Sequence, residues 1–100
     1  MKLLISPSNQ LVKVLNDEKE TLKAFTTNCI TISSLMYQKH NEDTWNEVRV
    51  SYTTNPSCII INGKPYKENL LLDICSDREI KSFFIADTSS IALYDNGKII

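Results

Sequence analysis

Residues 29–53 carry the strongest structural signal in the sequence, because apolar and polar side chains alternate there on both sides of a polar cluster at residues 40–44. Alternation with a period of two is typical of a half-buried strand. Two such runs around a short polar loop predict a β-hairpin. A hairpin needs further elements to cover its buried face, so this segment constrains the fold more than any other.

The register of this hairpin follows from a five-residue loop at 40–44. It predicts the opposed pairs Lys39 with Trp45, Tyr37 with Glu47, Leu35 with Arg49, and Ser33 with Ser51. The other face then carries Ile30, Ile32, Ser34 and Met36 against Val48, Val50 and Tyr52. Because a slip of one residue exchanges the two faces, the apolar set predicts the register and the buried side.

The first third of the chain predicts one strand followed by one helix. Leu11–Leu15 alternates as a strand and stops at a polar pair. Asp17 then has the position of an N-cap, and Glu20 stands three residues later as in a capping box. We expect a helix from Asp17 that ends near Asn28, where β-branched and short polar residues begin to dominate.

The second half of the chain predicts mainly strands. Cys58–Ile61 ends at Asn62-Gly63, a dipeptide typical of tight hairpin turns, and Pro65 limits the return strand to a short or edge strand. Residues 70–75 fit a strand or a helix by length, and we favour the strand. Ser76 and Glu79 have capping-box spacing before Ile80–Ala86, which predicts a second short helix, with a strand as the alternative. Residues 91–94 and 98–100 around a turn predict a closing hairpin.

These elements predict an α+β fold in one globular domain, residues 1–100. We expect a mainly antiparallel sheet of about five to six strands with one or two short helices packed on one face. The apolar content of 42% and charged content of 23% suit a folded domain rather than a disordered segment.

The charge balance, the length of the apolar runs and the cysteines bear on the partner class and the cellular location of the protein. The 11 basic and 12 acidic side chains are evenly spread, which argues against a nonspecific nucleic-acid binder. No apolar run approaches the length of a signal peptide core or a membrane span. The three cysteines are odd in number and far apart, as in a reducing compartment. We therefore expect a cytoplasmic protein, either of the producing cell or of a bacterial host if a phage encodes it.

The sequence contains no recognisable catalytic or cofactor motif. Two glycines are too few for a phosphate-binding or dinucleotide-binding loop, and a single histidine with three scattered cysteines does not predict a zinc site. Buried neutral thiols are the common state of cysteines in apolar runs, so a nucleophilic cysteine paired with His40 is the weaker reading. We expect no enzyme activity, no cofactor and no metal.

The predicted outward face of the hairpin is the candidate binding site. It comprises Leu35, Tyr37, Lys39, Trp45, Glu47 and Arg49, among which Tyr, Trp and Arg are the residue types that dominate binding hot spots. The alternative is that another element covers the face and makes it core. If the face is open, stacking on its rings with phosphates held by Lys39 and Arg49 would suit single-stranded nucleic acid.

A small non-enzymatic protein-binding module is the first functional hypothesis, since the balanced charge and Glu47 favour a protein partner. The bias towards Ile, Asn and Lys, which supply 30 of the 100 residues, is typical of A/T-rich genomes. An inhibitor of a host protein carried by a phage or mobile element would fit that bias. The alternatives are a single-stranded nucleic-acid-binding domain and a structural subunit of a larger assembly.

Overall fold

The computed structural model describes residues 1–30, 32–86, 93–95 and 98–99, and within them the chain forms eleven strands and two three-residue 3₁₀ turns. The strands are β1 (Lys2–Ser6), β2 (Leu11–Leu15), β3 (Thr21–Thr26), β4 (Ser33–Lys39), β5 (Asn46–Thr53), β6 (Cys58–Ile61), β7 (Lys64–Tyr66), β8 (Leu70–Asp73), β9 (Ile80–Ala86), β10 (Leu93–Asp95) and β11 (Lys98–Ile99). The turns are Pro7–Asn9 and Asp77–Glu79.

The strands form two sheets in which every described pairing is antiparallel. One sheet has the order β3-β2-β1-β8, and the other has the order β11-β10-β9-β4-β5-β6-β7. Both sheets place alternate side chains in one apolar cluster, so the sheets pack face to face around a shared core. Leu3 and Val14 contribute from the smaller sheet, and Leu35 and Phe83 from the larger one, each of them fully buried.

The α+β prediction is wrong, because the described residues contain no helix beyond the two 3₁₀ turns and more strands than expected. The antiparallel character of the sheet was predicted, but the second sheet was not. Both segments expected to be helical are strands. The core is therefore covered by strands where the sequence predicted helices.

The segment after Asp17 is a turn followed by β3 rather than a helix. Asn16 closes the turn, because its backbone bonds with Glu20 and Lys19 while its side-chain oxygen accepts from the Glu20 amide at 2.8 Å. Lys19 takes a positive φ of 66°, which a helix does not allow. β3 then pairs with β2 along its length, and Phe25 enters the core.

The Ser76 capping box exists, but it closes only one 3₁₀ turn. The Ser76 hydroxyl accepts from the Arg78 amide at 3.3 Å, and the Glu79 carboxylate accepts from the Ser76 amide at 3.1 Å. Ile80 is already extended, with φ −83° and ψ 121°. The alternative interpretation of Ile80–Ala86 as a strand is therefore the observed one, and β9 has Phe83 on its inner face and Phe84 on its outer face.

The hairpin of β4 and β5 is present, but its predicted register is wrong by one residue. The observed pairs are Ser33 with Val50, Ser34 with Arg49, Leu35 with Val48, Met36 with Glu47, and Tyr37 with Asn46. Leu35 therefore enters the core beside Val48, and Met36 lies on the other face. The long-range neighbour β9 favours this arrangement, because Ile85 on its inner face is opposite Leu35.

Other predictions are confirmed. Leu11–Leu15 and Cys58–Ile61 are strands, and β7 lies at a sheet edge as Pro65 required. Residues 70–75 contain β8 over Leu70–Asp73. Asn62 and Gly63 have positive φ values of 50° and 86°, which is the geometry of a type I′ turn. The closing hairpin pairs β10 with β11, while residues 91, 92, 96, 97 and 100 lie outside the described residues.

Candidate partner-binding surface

The outer face of β4, β5 and β9 carries a compact group of aromatic, apolar and charged side chains. Met36 is opposite both Glu47 and Phe84, and Ser34 is opposite Arg49, so cross-strand pairing brings these residues together. We name this surface the Trp45 face. It comprises Ser34, Met36, Trp45, Glu47, Arg49 and Phe84.

Trp45 is the aromatic centre of the Trp45 face. Its ring lies edge-on to Phe84, with centroids 5.2 Å apart and an interplanar angle of 68°. Such edge-to-face contact is the preferred geometry of aromatic pairs and holds the indole in place. The tryptophan nevertheless remains 43% exposed, so a large, positioned ring is available to a partner.

Glu47 and Arg49 form the polar half of the Trp45 face. One oxygen of Glu47 accepts a hydrogen bond from the Ser34 hydroxyl at 3.0 Å, and the other lies 3.7 Å from a guanidinium nitrogen of Arg49. The Arg49 side chain is 60% exposed. The ion pair with Glu47 is too long for a hydrogen bond, and the guanidinium donors make none to the described residues, so they are available to an acceptor.

A shallow concavity of about 470 Å³ adjoins the Trp45 face. Its lining consists of Glu47, Arg49, Ser51, Ile60, Asn62 and Gly63. The type I′ turn fixes its floor, because the Asn62 side-chain oxygen accepts from the Arg49 amide at 2.8 Å and the Asn62 amide donates to the Arg49 carbonyl at 2.9 Å. Arg49 therefore projects from a backbone that is held by Ser34 of β4 on one side and by the Asn62 turn on the other.

The six residues of the sequence-predicted site do not share one surface. Trp45, Glu47 and Arg49 lie together, whereas Leu35 is fully buried in the core. Tyr37 is half-buried against the core, and burial, with the nearby Cys75 as the next cause, raises the pKa of its hydroxyl. Lys39 is opposite the buried Ile80 and belongs to the same inner side.

Sequence reasoning missed Ser34, Met36 and Phe84. The observed hairpin register would have found Ser34 and Met36. Phe84 joins the Trp45 face only when Ile80–Ala86 is a strand. A short apolar run such as residues 83–86 fits a strand or a helix equally well. The helical spacing of Ile80, Phe83 and Phe84 favoured the helix.

The described residues contain no group of three or more His, Cys, Asp or Glu side chains that would hold a metal ion. The three cysteines are free: Cys29 is exposed, Cys58 buried and Cys75 half-buried. Burial raises the pKa of the Cys75 thiol, which makes it a weaker nucleophile at neutral pH. The exposure of Cys29 differs from the buried state expected for all three thiols.

The fold and the Trp45 face define a small protein of two antiparallel sheets that presents a sheet face rather than a deep cleft. Comparison of the chain with protein-family models, with curated proteins and with solved structures finds no match. Among the described residues there is no helix of sufficient length and apolar character to cross a membrane.

Proposed function

We propose that this protein is a small binding module that recognises another protein through the Trp45 face. The observation that supports the proposal is Trp45 itself, a large ring held edge-on by Phe84 and still 43% exposed. Tryptophan and arginine are the residue types most enriched among binding hot spots, and a ring that is already positioned loses little entropy on binding.

The composition of the Trp45 face favours a protein partner over single-stranded nucleic acid. The nucleic-acid hypothesis used Tyr37 and Lys39 together with Trp45 and Arg49, but the first two residues lie on the inner side of the sheet. Of those four residues, Trp45 and Arg49 remain on the Trp45 face, where the only cation is paired with the carboxylate of Glu47. A phosphate backbone would be repelled by that carboxylate, whereas a mixed protein surface accommodates both charges.

Site-specific crosslinking in the source cell tests the proposal. A photoreactive amino acid at Ser34 lies within the Trp45 face, and the same group at Ile30, which is 93% exposed and lies in the segment before β4, is the control. We expect one protein crosslinked from position 34 and not from position 30. The proposal is wrong if both positions give the same products.

The partner identified in this way is then purified for affinity measurements. We expect Trp45→Ala to weaken binding roughly tenfold or more and Arg49→Ala to weaken it by a smaller factor. Ile30→Ala is the matched control, since it removes an exposed apolar side chain elsewhere, and its affinity should equal that of the wild type. Salt-sensitive binding of short single-stranded oligonucleotides that is lost in Arg49→Ala would instead support the nucleic-acid alternative.

The identity of the partner also tests the finer hypothesis of an inhibitor carried by a phage or mobile element. Such an inhibitor requires a host enzyme or regulator as the crosslinked protein and a loss of that protein's activity on titration. A permanent multi-subunit complex of fixed native mass would instead indicate a structural subunit.

A further inference from the structure

The edge strand β8 contains no proline, lysine or bulge, and its one charged residue, Asp73, stands at its last position. The smaller sheet ends at β3 and β8, and the larger sheet ends at β7 on one side. β7 contains Pro65, which has no amide hydrogen, and β3 contains Lys23 and a register shift in its pairing with β2. Proline, lysine and bulges protect edges. β8, with the sequence Leu-Leu-Leu-Asp, has none of them.

The free backbone groups of this edge belong to Leu71 and Asp73. The Ile74 amide donates to the Met1 carbonyl at 3.0 Å, so this pair is of the hydrogen-bonded type. Hydrogen-bonded and non-hydrogen-bonded pairs alternate along an antiparallel ladder. The backbone amide and carbonyl groups of Leu70 and Leu72 therefore point towards β1. The amide and carbonyl groups of Leu71 and Asp73 therefore point away from the sheet, and no described strand pairs with them.

The side chains of β8 are also unusually exposed for leucines. Leu70 is 40% and Leu71 37% accessible. On the outside of the smaller sheet Leu71 is opposite Leu4, so a short leucine row ends at the free edge, and Lys13 lies on the far side of Leu4. An incoming strand with an apolar residue beside Leu71 would continue this row.

We propose that a second copy of this chain pairs with β8 as an antiparallel strand across a two-fold axis at Leu71. In this register the outward backbone groups of Leu71 meet those of the second Leu71, and Asn69 faces the second Asp73. The leucine rows of the two copies join, and Leu70 meets the second Leu72 on the inner side. The result is a continuous eight-stranded sheet built from two four-stranded ones.

Charge disfavours the registers that are displaced towards Asp73. A two-fold axis at Asp73 would bring two carboxylates together, and an axis at Leu72 would set each Leu71 against a carboxylate. The axis at Leu71 avoids both and leaves Asp73 free to keep its ion pair with Lys2. Pairing along an edge of four residues buries much less than the roughly 800 Å² per partner of a stable interface. We therefore expect a weak dimer that dissociates on dilution.

Sedimentation equilibrium over a wide concentration range tests this proposal. We expect a reversible monomer–dimer equilibrium in the wild type and a monomer in Leu71→Lys, which sets two positive charges opposite each other. Ala24→Lys, which adds the same charge to the exposed outer side of β3, is the matched control and should dimerise normally. Circular dichroism establishes that both variants are folded.

Three results would overturn the inference. These are a wild type that is monomeric at every concentration, a dimer that persists in Leu71→Lys, and an equal loss of dimer in Leu71→Lys and Ala24→Lys. Oxidation of Leu71→Cys in a Cys29→Ser background tests the register separately. Opposed Cα atoms in a hydrogen-bonded pair lie about 5.5 Å apart, which suits a disulfide. We expect a crosslinked dimer from Leu71→Cys and none from Ala24→Cys, and the reverse result would contradict the proposed axis.

Discussion

Asp17 and Asp77, sixty residues apart, each accept a hydrogen bond from the backbone amide of the other. The distances are 2.8 Å from the Asp17 amide to the Asp77 carboxylate and 2.9 Å in the opposite direction. The second oxygen of each carboxylate contacts the ammonium of Met1, at 2.8 Å for Asp17 and 2.7 Å for Asp77. This cluster joins the β2–β3 turn, the β8–β9 connection and the start of β1, which are distant in sequence.

Replacement of Asp17 by alanine should destabilise the protein. It removes the ion pair with Met1 and the acceptor of the Asp77 amide together. Because Asp17 is 41% exposed and solvent screens its charge, we expect a loss of about 1 kcal/mol in the free energy of unfolding, less than a buried hydrogen bond to a charged group contributes. Urea denaturation measures it. Asp43→Ala, at an exposed loop position, is the control and should change stability little.

The same cluster predicts a stability maximum between about pH 4 and pH 8. Burial lowers the pKa of the Met1 ammonium, but the hydrogen bonds to Asp17 and Asp77 outweigh it and raise the pKa above 8.0. This contribution is complete below pH 8.0 and is lost as the pH rises through the folded value. The hydrogen bond from the ammonium, with that from the Asp77 amide, lowers the pKa of Asp17 below 3.8.

The Asp17 contribution is therefore present above pH 3.8 and is lost as the pH falls through the folded value. Urea denaturation across the pH range should show decreases on both sides of the maximum. Asp17→Ala should flatten the acidic decrease and reduce the alkaline one. A variant whose pH profile parallels that of the wild type would contradict the assignment of these decreases to the cluster.

Leu35 and Met36 test the register of the β4–β5 hairpin directly, since they are adjacent and point to opposite faces. Leu35→Ala should cost about 2 to 5 kcal/mol in the free energy of unfolding, because Leu35 is fully buried. Met36→Ala, on the Trp45 face, should cost about 1 kcal/mol or less. Chemical denaturation of both variants gives the comparison, and the opposite order would restore the register predicted from the sequence.

Phe84 should limit the mobility and exposure of Trp45. Trp45 is the only tryptophan, so its fluorescence and acrylamide quenching report on this position alone. We expect Phe84→Ala to increase the quenching constant and shift the emission to longer wavelength, because the edge-to-face contact at 5.2 Å is lost. Ile30→Ala should leave both signals unchanged, and equal quenching in Phe84→Ala and the wild type would exclude the contact in solution.

The three thiols should react at different rates with an alkylating reagent. Cys29 is exposed, whereas Cys58 is buried and the pKa of Cys75 is raised by burial. We expect one fast equivalent under native conditions and two further equivalents after denaturation. Mass spectrometry of Cys29→Ser should show that the fast equivalent is missing, while rapid labelling of Cys75 would contradict its half-buried environment.

Local sequence signals located several strands and turns correctly. The alternation of Leu11–Leu15, the aliphatic run of Cys58–Ile61 and the Asn62-Gly63 turn depend on neighbouring residues alone. Of the two predicted capping boxes, the one at Ser76 is present and the one at Asp17 is not. The Asp17 carboxylate binds Met1 and Asp77, and the Ser76 box closes a turn before β9.

Half of the candidate site could be predicted because Trp45, Glu47 and Arg49 alternate along one segment of chain. The other half depended on which residues of β4 lie opposite them, and a shift of one residue exchanged Leu35 for Met36. Phe84 entered the site through β9, a strand that the sequence signals assigned first to a helix.

By itself, the sequence determined the alternating pattern, the tight turn at Asn62-Gly63 and the exclusion of glycine-rich nucleotide loops, since these depend on local backbone preferences and residue counts. The tertiary structure decided that Thr21–Thr26 and Ile80–Ala86 are strands, and which face of β4 is buried. Strand pairing joins residues far apart in the chain, so the free energy that selects register and sheet position comes from neighbours that no local pattern contains.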